Sequence, residues 1–139
     1  MDEFTDVTFS ADFSLASIAP DALTGATCHT TSRFDQYLFL LAFDGSFSVQ
    51  AAVDGEFMDI VPWSEGSGLL IEPDSVNHMR ITCAEDRLVW VLNGSTLADE
   101  LSEAIIGGRI GFIAYTYEYG QLEMHVDNVL IIDQSRGND

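Results

Sequence analysis

The chain has no lysine. Its five basic residues are all arginines (Arg33, Arg80, Arg87, Arg109 and Arg136), set against 23 Asp and Glu, for a net charge of -18 over 139 residues. So negative a field excludes nucleic-acid binding, which needs a basic footprint. It also excludes attraction to anionic membrane surfaces. Cations are favoured instead. Two readings fit the imbalance: an acidic, highly soluble extracellular domain, or a halophilic one, adapted to high salt that screens its self-repulsion.

Long apolar runs are missing too. The longest uncharged apolar stretch, residues 37–43 (YLFLLAF), is far too short to cross a bilayer, so direct membrane insertion is not expected. The N-terminal MDEFTDVTF lacks the basic and apolar regions of a signal peptide. A cytosolic protein, or a signal or anchor outside this chain, is the expectation. There is no nucleophile elbow. His29, His78 and His125 lack metal-motif spacing, and each reads as a solvated histidine on a strand face. A helical period is missing as well, except that residues 99–105 allow one short helical turn.

What is present is alternation. Val7, Phe9, Ala11 and Phe13 interleave with Thr8, Ser10, Asp12 and Ser14, which gives one dry and one wet strand face. Phe47, Val49, Ala51 and Val53 repeat the pattern, as do Met79, Ile81 and Cys83, then Leu88, Trp90 and Leu92, then Leu122, Met124 and Val126. The 37–43 run is apolar on both faces, as in a central strand covered on each side. Asp44-Gly45, Asp54-Gly55 and Asn93-Gly94 are two-residue hairpin signals. About ten strands at this turn spacing predict one all-β domain over residues 1–134, an antiparallel sandwich or barrel, with a polar tail at 135–139. The apolar content of 47% suffices for a core at this length.

Three pieces in this order resemble the concanavalin A-like (laminin G/jelly-roll) superfamily. They are residues 28–49, a strand, a second strand and an Asp-Gly turn; the hairpin 77–94, ending Val-Leu-Asn-Gly; and residues 107–130, reading Gly-Gly-Arg-Ile-Gly-Phe, an aromatic loop and Val-Asp-Asn-Val. More narrowly, the chain looks like the glucanase-like sandwich domains of bacterial surface proteins. The resemblance implies a jelly-roll β-sandwich at the cell surface or outside the cell. Such domains carry cysteines near the places of Cys28 and Cys83, which implies a disulfide; the residues alone leave open two buried thiols. The Asp of the Asp127-Asn128 pair implies a structural calcium ion, although Asp127 serves equally well as a turn acceptor. Domains of this kind usually begin one or two strands earlier. That leaves a sheet edge open for a homo-oligomer or edge-strand pairing, or filled by the C-terminal strand, a neighbouring domain or another copy.

Enzymes of this superfamily usually rest on a Glu-x-Asp-x-x-Glu strand, and none occurs here. The expectation is a non-catalytic carbohydrate-binding or surface recognition module whose partner is a glycan or cell-surface polymer. The alternatives are a structural module that assembles through its sheet edges and a hydrolase with a non-standard site. An exposed aromatic platform is what a sugar needs. Trp63, with Glu65 in the 62–68 loop, and the alternating Tyr115, Tyr117 and Tyr119 are the candidates. Read structurally, Trp63 caps the core and the tyrosines sit at its rim.

Overall fold

The computed structural model describes residues 3–17, 22–32, 34–116 and 122–134. Ten strands follow one another: β1 (Val7–Ser17), β2 (Leu23–Ser32), β3 (Asp35–Ala42), β4 (Phe47–Val53), β5 (Glu56–Ser64), β6 (Asn77–Cys83), β7 (Arg87–Leu92), β8 (Ser95–Leu101), β9 (Arg109–Tyr115) and β10 (Glu123–Asp133). They form two antiparallel five-stranded sheets, ordered β10-β1-β6-β7-β8 and β5-β4-β3-β2-β9. The described residues contain no helix. This is an antiparallel jelly-roll β-sandwich.

The alternating residues meet between the sheets. Phe9 and Phe13 from β1, Phe39 from β3, Met79 and Ile81 from β6, and Trp90 from β7 are all buried there. Trp90 stands edge-on to Phe39 and Phe47, at centroid separations of 5.5 and 6.0 Å, a favoured geometry for aromatic pairs. Each such side chain contributes roughly 1.5–3 kcal/mol on leaving water. Cys28 on β2 and Cys83 on β6 are disulfide-bonded across the sandwich. Their 55-residue separation corresponds to about 4 kcal/mol of denatured-state entropy in the loop-closure account. Asp54-Gly55 and Asn93-Gly94 turn with positive φ at both residues (53° and 80°, 50° and 84°), the geometry that matches strand twist in a two-residue hairpin.

Four details differ from the sequence reading. Residues 99–105 hold no helical turn. Leu101 ends β8, whose register with β7 runs from Leu92↔Ser95 to Arg87↔Leu101, so cross-strand pairing prevails over the local pattern. Residues 62–64 belong to β5 and not to a loop. The 37–43 run is covered by core on one face only; Leu38 and Leu40 point to the other side of the sheet. His29 is fully buried, not solvated. A register break between Cys28 and Ser32, with φ of 48° at His29, interrupts the alternation, so Cys28 and His29 both turn inward.

The C-terminal strand fills the edge beside β1, with Val7 opposite Asp133 and Phe13 opposite Val126. The outer side of β10 is thereby an edge of its sheet.

Candidate functional site

The site is built on the outward face of the β5-β4-β3-β2-β9 sheet. On β3, Tyr37, Phe39 and Leu41 face the core, so Gln36, Leu38 and Leu40 face out. Cross-strand partners share a face. Leu38 is opposite Gln50 on β4 and Thr27 on β2. Phe57 on β5 is opposite Ala52, and Leu23 on β2 is opposite Tyr115 on β9. Of these outward residues, all but Ala52 line an open groove of about 610 Å³. Its floor is aliphatic (Leu23, Leu38, Leu40 and Ile113). Phe57 and Tyr115 stand at its two sides, 65% and 51% exposed.

Gly25 lies in the same stretch of β2, at φ 141°. A Cβ there would run into the Phe39 carbonyl, so only glycine lets β2 pack this closely on β3 under the groove.

The polar groups of the groove are neutral. Thr30 Oγ1 donates to Gln36 Oε1 at 3.3 Å, and Gln50 Nε2 donates to Ser48 Oγ at 3.4 Å. These contacts orient both carboxamides. Among the described residues, no Asp, Glu, Lys, Arg or His lines the groove. A floor of C–H groups flanked by two exposed aromatic rings and a few amide and hydroxyl groups suits stacking combined with hydrogen bonding.

Of the residues singled out in the sequence, Tyr115 lines this groove. Trp63 is 44% exposed, but it sits at the other end of β5, about 20 Å along the strand from Phe57. Glu65 is exposed in the turn that follows β5. Neither lines the groove. Tyr117 and Tyr119 lie outside the described residues. Phe57, Gln50 and the outward leucines were missed. Their signal was the alternation itself: once Phe39 and Val49 are assigned to the core, Leu38, Leu40 and Gln50 must face out.

A second, smaller cavity of about 270 Å³ lies beside β10 and includes Asp12, His125, Asp127 and Asn128. Asp12 accepts hydrogen bonds from Asn128 Nδ2 at 2.8 Å and from His78 Nδ1 at 2.7 Å. These bonds hold its carboxyl below the usual range, the Asn128 contact most of all. Asp127 Oδ1 accepts the Asn128 N–H at 2.8 Å. Among the described residues, no three His, Cys, Asp or Glu side chains converge as a metal site.

No family model matches the sequence, and no characterised protein matches it in sequence. Solved structures match in shape. A carbohydrate-binding module (CBM66) from Bacillus subtilis superposes with a TM-score of 0.72 at 13% identity, over 94% of this chain and 76% of that one. Sheep galectin-11, in complex with glycerol, gives 0.65 at 9% identity, over 92% and 90%. A GH43 protein from Bacillus licheniformis gives 0.69 at 11% identity, over 93% of this chain and 28% of that one. These likenesses establish the concanavalin A-like fold.

Proposed function

We propose that this chain is a non-catalytic carbohydrate-binding module whose outward groove takes a neutral saccharide. The observation that carries the reading is the groove itself: two exposed aromatic rings, Phe57 and Tyr115, flank an uncharged floor with two oriented carboxamides. The apolar C–H faces of a sugar ring stack on such surfaces while Gln36, Gln50 and Thr27 bond its hydroxyls. With a net charge of -18 and no base among the described lining residues, uronate or sulfate groups are repelled. Structural neighbours that include a carbohydrate-binding module and galectins support the class of module. The Cys28–Cys83 bridge supports an oxidising, extracellular or cell-surface location.

Titration calorimetry with neutral and with acidic oligosaccharides tests the proposal. Neutral ligands are expected to bind, and Phe57→Ala or Tyr115→Ala is expected to weaken them by about tenfold, the loss of one stacking contact of about 1.4 kcal/mol. Trp63→Ala separates the groove from the edge of β5, since affinity that falls only in this variant moves the site to Trp63 and Glu65. Failure of every saccharide to bind removes the reading.

A further inference from the structure

The groove leaves one conspicuous surface unexplained. Val129, Leu130, Ile131 and Ile132, consecutive on β10, are 47%, 57%, 45% and 47% exposed. Leu130 and Ile132 lie opposite Ser10 and Thr8 on the outer face of the sheet, and Ile131 lies opposite Phe9 on the inner side. The strand therefore presents aliphatic groups on both faces, on the side of β10 where, among the described residues, no further strand pairs.

Lysine, the residue most used to blunt such edges, is absent from the chain. One protective device is present. Between Asp127 and Leu130 the β10 register with β1 slips by one residue, and Asn128 has φ of 53°, a bulge that bends the first half of the strand. The regular part beyond the bulge, free of charged side chains, is 130–132.

We infer that this edge is where a second copy of the chain docks, its β10 antiparallel to the first across a two-fold axis at Ile131. Charge argues for this occupant and this place. Two molecules of charge -18 repel everywhere an acid faces an acid, and residues 128–132 form an uncharged run through which they can approach. Symmetry narrows the register, because an axis normal to an antiparallel pair passes between a residue and its own copy. With Leu130 on the axis, Asp127 would oppose Asp133, a like-charge pair. An axis on Val129 falls in the bulge. With Ile131 on the axis, Leu130 meets Ile132, Val129 meets Asp133 and Asn128 meets Gln134. No carboxylate then opposes a carboxylate over residues 128–134.

Light scattering across a concentration series, at low and at molar salt, tests the interface. A mass that rises from monomer to dimer with concentration is expected, with association tightening as salt screens the net repulsion. Leu130→Lys and, separately, Ile132→Lys replace exposed side chains and are expected to weaken the dimer at least tenfold with the melting temperature of the monomer unchanged. A strictly monomeric mass under every condition overturns the inference. So does a dimer or larger polymer that both lysine variants leave intact, because its interface would lie elsewhere.

Discussion

His29 shows how much one side chain can hold. It is fully buried, with Nδ1 3.0 Å from the Ile105 carbonyl and Nε2 3.1 Å from the Thr5 carbonyl. Two carbonyls face its two nitrogens, and the ring nitrogen that carries the proton donates to the carbonyl in front of it. Beside it, the Tyr37 hydroxyl bonds Ser102 Oγ at 2.7 Å and accepts the Ile105 N–H at 3.1 Å. The pair pins the irregular 102–108 segment to the sandwich. His29→Leu removes this bonding from a dry site and leaves the facing carbonyls without it, and urea denaturation is expected to show a loss of roughly 1–3 kcal/mol. Asp127 is the other residue with a distinct expectation. With its oxygen engaged by Asn128 and Asp12 the one other acid among the described residues lining the cavity, a calcium ion there would take most of its six to eight oxygens from backbone and water. We therefore propose a weak site, of the order of 10⁻³ M. Millimolar calcium is expected to raise the melting temperature and a chelator to reverse the rise; no response removes the site.

At the level of strands, Asp12 ties β1 to both of its neighbours through His78 on β6 and Asn128 on β10. Its carboxyl is held below the usual value. The stability it contributes is therefore present above the unfolded carboxylate range, near pH 4, and is lost as pH falls through the lower folded value. Asp44, bonded to Ser46, and Asp99, bonded to Arg87, are shifted the same way. Acid melts are expected to fall more steeply for the native chain than for Asp12→Asn below about pH 4. The strands themselves were legible because period-two alternation is a property of the backbone, and Phe9, Val49, Ile81 and Trp90 are all buried as their alternation implies. Alternation failed where a bulge intervened, at His29, and where pairing overrode a local pattern, at 99–101. The groove was legible only in part. Tyr115 carries an aromatic signal of its own, whereas Phe57 and Gln50 acquire meaning only when five strands, distant in sequence, are laid side by side.

At the level of the whole molecule, the surplus of acids sets the response to solvent. With 23 acids against 5 bases, salt screening is expected to raise the melting temperature between low and molar sodium chloride, and a flat response removes the high-salt reading. Reduction of the buried disulfide is expected to cost about 4 kcal/mol, measured by denaturation with and without reductant. The place of β1 in its sheet has a further consequence, in time rather than in energy. The first strand lies between β6 and β10, and Val7 pairs with Cys83 on one side and Asp133 on the other. Contacts this distant in sequence make folding slow, of the millisecond-to-second class or slower. During synthesis, β1 must wait for the last strand to close its outer side. Both cysteines emerge before β9 and β10, so the cross-link can form while that side is still open and then serve as the fixed point on which the late strands assemble.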